Sequence, residues 1–218
     1  MTQFAFSDST IKELIAHALK NASGPNDWHI TRTAMYKALR GKFAAHDSEA
    51  KNCLAISNSG WFGKILGLTK VKYTLANYPE ENIINLSFQD QFFDFVVSDQ
   101  VFEHIEGNPF VAFAETARVA KPGGLICHTT CFINEIHGVP KDFWRFTPDA
   151  LALLATSAGC DVVETGSWGN REAWALIHAG FRMAKIPEDE THPLYRLATR
   201  NEKEWPIVTW VIAKKREA

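Results

Sequence analysis

Cysteine is scarce and never paired at short spacing. Cys53, Cys127, Cys131 and Cys160 are the four in 218 residues, and no CxxC occurs. A disulfide-built fold and a CxxC centre are excluded, and reduced, buried thiols in a cytoplasmic protein are expected. Cys127, His128 and Cys131 are neighbours, but strand alternation turns the two cysteines to one face and His128 to the other, so no metal is expected. Excess charge is also lacking. Lys and Arg total 23 against 25 Asp and Glu, for a net charge of −2 and a pI near 6.4. Nothing here suits a nucleic-acid partner. No apolar run approaches the ~20 residues of a membrane helix, and no signal peptide or membrane partner is expected. GxGxxG is absent, so a nicotinamide dinucleotide is not expected. Hydrophobic residues make up 46% of the chain and aromatics 12%, enough for a sizeable core in one decorated domain.

The most informative stretch is residues 92–124. Phe92 to Val97 is short, apolar and broken only by Asp94, as in a strand buried on both faces. Ser98-Asp99-Gln100 follows, at what would be the carboxyl end of a parallel strand, where open α/β sheets place ligands. Asn108 and Pro109 can start a helix with Phe110, Phe113, Ala114 and Ala117 on its apolar face. Lys121-Pro122-Gly123-Gly124 reads as its end and as a turn into a strand from Leu125 to Thr130.

Elsewhere, Ser7-Asp8-Ser9 can cap a helix from Thr10 to Lys20, and Trp28 to Leu39 is partly helical in pattern. Cys53 to Ile56 reads as a strand, Ser57 to Gly60 as a tight turn and Trp61 to Leu68 as a helix, an arrangement that brings backbone N–H groups to a ligand. Val71 to Ala76 is a second strand, Asn82 to Phe88 a short third one, Asp161 to Thr165 a sixth and Ile207 to Ala213 the last. Thr147, Pro148 and Asp149 open a helix that stops at Gly159. The loop before it gathers His137, Asp142, Trp144 and Arg145 into nine residues, and loops on a rigid scaffold carry function.

Four words of the central stretch, in order and at matching spacing, resemble the second half of the class I S-adenosylmethionine-dependent methyltransferase domain: Phe93-Asp94-Phe95-Val96-Val97, Val101-Phe102-Glu103-His104-Ile105, Glu115 with Arg118-Val119, and Lys121-Pro122-Gly123-Gly124. The word from His137 to Thr147 resembles a small-molecule, methyltransferase type 11-like subgroup. The resemblance implies a three-layer, Rossmann-like α/β fold with a mostly parallel seven-stranded sheet and an antiparallel last strand. It also implies a helical cap over residues 1–48 ahead of a methyltransferase-like domain over 49–218.

The activity implied is methyl transfer from S-adenosylmethionine to an oxygen or nitrogen of a small polar molecule, such as a metabolite or sugar. The implied cofactor contacts are Ser57, Asn58, Ser59, Gly60, Asn77, Tyr78, Asn82, Asp99 and Gln100. Here the chain departs from the family, with serines and Trp61 for the loop glycines and Asn77 and Asn82 for acids. Asp142, Trp144, Arg145, Trp28 and Tyr36 are the implied substrate contacts. An imidazole can take a proton near neutrality, which makes His137 and His104 candidate general bases. Expected partners are a small-molecule acceptor and, as an option, a second copy of the chain. The alternative is a methyltransferase-like binding or scaffold protein without catalysis, which the degenerate loop favours.

Overall fold

The computed structural model describes Ser9, Glu13, Ala16 and residues 29–138, 140–184 and 186–217. The helix expected over residues 10–20 lies mostly outside the described residues, as does Trp28. Two compact units divide the chain. Of the described residues, one holds those up to 38 with those in 167–208, and the other holds those in 39–166 with 209–217.

Six strands form one sheet among the described residues: β1 (Asn52–Ile56), β2 (Lys72–Ala76), β3 (Phe93–Asp99), β4 (Ala120–Cys131), β5 (Cys160–Trp168) and β6 (Val208–Lys215). Their order is β2-β1-β3-β4-β6-β5, with β1 parallel to both β2 and β3, and β3 parallel to β4. Arg216 N–H meets Gly159 O at 3.1 Å and Ile207 N–H meets Trp168 O at 2.7 Å, so β5 and β6 run antiparallel.

The expected third strand is not formed. Asn82 and Asn85 make a single bridge, and the run to Phe88 is a turn. Its backbone is held by side chains instead. Arg118 donates to Leu86 O at 2.9 Å and Phe88 O at 2.8 Å, while Glu115 accepts from Leu86 N–H at 2.9 Å. The pair holds Glu115 ionised to below its usual range and Arg118 protonated above its own.

The expected turn at Lys121 to Gly124 is part of β4. Phe93 pairs with Ala120 and Phe95 with Leu125, so the strand bulges between them. A Cβ on Gly124 would lie 2.8 Å from Lys121 O and 3.2 Å from Asp94 O, so only glycine fits the bulge. Asp94 closes it, accepting from Lys121 Nζ and from Asn52 N–H, both at 2.9 Å.

Alternation along the strands splits the core of the larger unit. Leu54, Ile56, Val96 and Ile126 pack with helices α3 (Pro109–Val119) and α4 (Pro148–Ser157). Cys53, Ala55, Phe95, Val97 and Cys127 are buried on the other face, where Phe43 stacks on Phe95 with ring centroids 5.8 Å apart. Asn108 caps α3 through Phe110 N–H, and Thr147 caps α4 through Ala150 N–H, as their sequences predict. The smaller unit includes helices α1 (Thr33–Leu39), α5 (Arg171–Leu176) and α6 (Pro193–Thr199), counted in chain order with α2 (Gly60–Ile65) of the larger unit. Pro193 opens α6 in its first turn and His192 Nδ1 accepts from Leu194 N–H at 3.1 Å, a start signal that the sequence reading did not use.

Candidate active site

A cavity of about 430 Å³ opens at the carboxyl ends of β1, β2 and β3. Ile56, Ser57, Ala76 and Tyr78 line it from the first two strand ends, and Gln100, Val101, His104, Ile105 and Glu106 from the segment after β3. Glu81, Asn82 and Ile83 close one side, and Pro140, Lys141 and Phe143 another. Such a volume suits a small organic ligand.

Backbone strain collects at its rim. Ser57, Asn58 and Gln100 all sit in the left-handed region, with φ of 55°, 58° and 57°. Glycine adopts that conformation freely; other residues hold it at a cost of about 1 kcal/mol or more, and such residues cluster at ligand sites. Side chains enforce it here. Asn58 N–H donates to Asn77 Oδ1 at 2.9 Å and Asn77 Nδ2 returns a bond to Asn58 Oδ1 at 3.2 Å. Ser59 is buried; its Oγ donates to Ile56 O at 2.5 Å and accepts from Asp99 N–H at 2.9 Å, tying the tips of β1 and β3 together. Asp99 accepts from Thr129 Oγ1 at 2.6 Å, and Gln100 N–H meets Thr129 O at 3.0 Å. A Cβ on Gly60 would meet nothing nearer than Leu75 at 3.6 Å, so the loop's fit does not depend on that glycine.

Tyr78 is 63% exposed on the cavity wall, and Asn82 folds its Oδ1 back onto Ile84 N–H at 3.2 Å. Glu81, not anticipated as a lining residue, holds the turn through Ser87 N–H and Oγ.

The segment after β3 is a single turn, Phe102–His104, and the loop 134–146 lies on it through Phe143 and Trp144 N–H groups, which both donate to Glu103 O. The two expected histidines come together, with ring centroids 4.9 Å apart. His104 Nδ1 lies 2.6 Å from Lys141 O. His137 Nδ1 lies 3.0 Å from Asn134 Nδ2 and 3.1 Å from both Glu135 O and Asp142 Oδ2.

Asp142 and Arg145 pair with each other in a two-pronged contact of 2.5 and 2.7 Å, and Asp142 also accepts His137 N–H at 2.9 Å. The guanidinium holds the Asp142 carboxyl well below the usual range, since the buried carboxylate is worth more ionised beside it. Trp144 donates Nε1 to Ile105 O at 2.9 Å and stacks on Phe146. Tyr36 belongs to the smaller unit and is buried there.

Glu103 escaped the sequence reading as a site residue, although it adjoins His104. It is fully buried, accepts Thr130 Oγ1 at 2.9 Å, and groups with His104 and His137. Nothing local shows that a Glu in a surface-type word will point inward.

A mostly parallel sheet with a crossover at β1, a strained loop at its carboxyl edge and an antiparallel strand between β4 and β5 define the class I methyltransferase fold, less its third strand. Comparison with known proteins agrees. Residues 48–128 match the family model described as a methyltransferase domain. A stretch of 76 residues, 35% of this chain, is 33% identical to a Schizosaccharomyces pombe protein described as an uncharacterized methyltransferase, and covers 27% of that relative's length.

Among solved structures, phosphoethanolamine N-methyltransferase 2 of Haemonchus contortus, in complex with S-adenosyl-L-methionine, aligns over 99% of this chain and 59% of its own, with 13% identity and a TM-score of 0.52. The [4+2]-cyclase SpnF aligns over 96% and 93%, with 13% identity and a TM-score of 0.51. At such identities the likeness is one of fold, and the second of these proteins is a cyclase, a different chemistry. The fold is thus that of class I methyltransferases, and residues 48–128 are similar to a methyltransferase domain.

Proposed function

We propose that this protein transfers a methyl group from S-adenosylmethionine to an oxygen or nitrogen of a small polar molecule. The observation that carries the reading is the pair of strained strand tips, Ser57-Asn58 and Gln100, on the rim of a ligand-sized cavity. A cofactor of this class fits that rim: the loop bends as a glycine loop would, and the cavity beyond it is walled by Tyr78 and Asn82. S-adenosylmethionine, when bound, supplies a methyl group already activated by its sulfonium. The chain's own task is then to orient and to exclude water. Ser57 to Gly60 and Asp99-Gln100 would hold the methionine end, Asn77 and Tyr78 the ribose, and Asn82 the adenine edge. His104 and His137, backed by the loop that Asp142, Trp144 and Arg145 brace, mark the end where an acceptor gives up its proton.

A second reading has one observation in its favour. Asn58 and Asn77 spend amide groups on each other, as a binding or scaffold protein without catalysis would tolerate. Calorimetric titration with S-adenosylmethionine and S-adenosylhomocysteine separates the two. Binding is expected, weakened about tenfold by Asn77→Ala, the equivalent of one hydrogen bond. Absence of binding to a folded chain overturns the methyl-transfer reading.

A further inference from the structure

The grouping of Glu103, His104 and His137 is more than two bases facing an acceptor. Each offers one ligand atom, and these atoms lie within 4.8 Å of one another. Lys141 O, 2.6 Å from His104 Nδ1, can only accept, so Nδ1 carries the proton and Nε2 keeps its lone pair. A backbone carbonyl holding the far nitrogen is how proteins orient a metal-binding imidazole. At His137 Nδ1 two acceptors, Asp142 Oδ2 and Glu135 O at 3.1 Å, stand against one donor, Asn134 Nδ2 at 3.0 Å, and Nε2 offers its lone pair when the acceptors hold the Nδ1 proton.

Glu103 is fully buried, and Thr130 Oγ1 fixes one of its carboxylate oxygens. A buried carboxylate beside two imidazoles is costly unless positive charge compensates it. Arg145 supplies some of it. Two imidazoles and one carboxylate, with His104 on the cavity wall, are a donor set that takes a first-row divalent cation and leaves positions open.

We propose that Glu103, His104 and His137 bind a divalent cation of the zinc class, whose open positions take the oxygen of the acceptor. The role of the cation rests on the methyl-transfer reading; its binding does not. A hydroxyl on the cation loses its proton to water more readily than a free one. The three side chains then act as ligands and take up no proton themselves. The cation would also pin the loop 134–146 onto the turn at Phe102–His104.

The test uses the full chain, stripped with a chelator and titrated with Co²⁺ and then Zn²⁺, with visible absorption reporting the cobalt environment. One equivalent is expected, displaced by zinc, with affinity falling at least tenfold in His104→Ala and in His137→Ala and unchanged in His46→Ala, an exposed histidine outside the group. Glu103→Gln keeps the shape while removing the charge and should show the same loss; the two histidine variants decide the matter if it does not fold. Substoichiometric binding, or equal affinity in the histidine variants and wild type, overturns the proposal. Cofactor titration of the same samples keeps the failures apart: cofactor binding without cation binding sinks this inference alone, and the reverse sinks the methyl-transfer reading and the cation's role in it while leaving the cation site standing.

Discussion

Lowering the pH from 7 to 5 should destabilise this fold through His128, a residue in the core of the sheet. Its ring is fully buried, 2.7 Å from Ser98 Oγ at Nδ1 and 3.2 Å from Thr116 Oγ1 at Nε2, with the Phe102 ring 4.5 Å away. Two hydroxyls satisfy a neutral imidazole, one donating and one accepting, and among the described residues no ion pair involves it. Burial pushes its pKa from 6.5 down to about 3.

The unfolded chain therefore takes up a proton below about pH 6.5 that the folded chain refuses until about pH 3. The stability due to the neutral ring is complete above the unfolded value and is lost as pH falls. At pH 5 the unfolded state gains RT ln(1 + 10^1.5), about 2 kcal/mol, and at pH 7 almost nothing. That difference depends only on the folded pKa lying below 5, not on its depth. Urea unfolding at each pH, for wild type and for His128→Gln, measures it. The wild type should lose about 2 kcal/mol more than the variant between pH 7 and 5. His29, pushed to about 3 by burial and by nearby Arg32 and Arg182, adds the same trend to both proteins and cancels. Superimposed pH profiles would refute the reasoning.

Two further outcomes are expected. Arg118→Lys removes the forked contacts to Leu86 O, Phe88 O, Glu115 and Asp90 that one ammonium cannot reproduce, and should cost about 2 kcal/mol in urea unfolding, with earlier proteolysis within residues 80–90; an unchanged midpoint and cleavage pattern would count against it. All four cysteines are buried, and burial raises the thiols of Cys53, Cys127 and Cys160, the last to about 11, so a chromogenic thiol reagent should find none in the native protein and four after unfolding. A fast native reaction would show a thiol exposed.

Sequence reasoning succeeded where the signal is local. Asn108-Pro109 and Thr147-Pro148 carry their own capping groups, and Phe93 to Val97 announces a strand buried on both faces. It failed where partners come from far along the chain. Asn82 to Phe88 has a strand-like apolar pattern, yet Arg118 and Glu115 of α3 satisfy its backbone and leave it a turn. Lys121 to Gly124 has turn composition, yet Ala120 is already paired with Phe93, and the glycine absorbs a bulge. In the candidate site, the gathering of His104 with His137 follows from two loops meeting, which spacing cannot reveal. Asp142 and Arg145 stand three apart in a loop, a spacing that by itself chooses neither mutual pairing nor a ligand.

The loop after β1 has one more consequence. A glycine-built loop owes its shape to the absence of side chains, so its surface is bare backbone and changes little from one protein to the next. Here the shape is written in amides and hydroxyls, Asn58 against Asn77 and Ser59 between two strand tips. Geometry and chemical character then reside in the same few atoms. A single substitution at Asn58 or Asn77 alters both at once, making this rim a point where selectivity could drift quickly under selection.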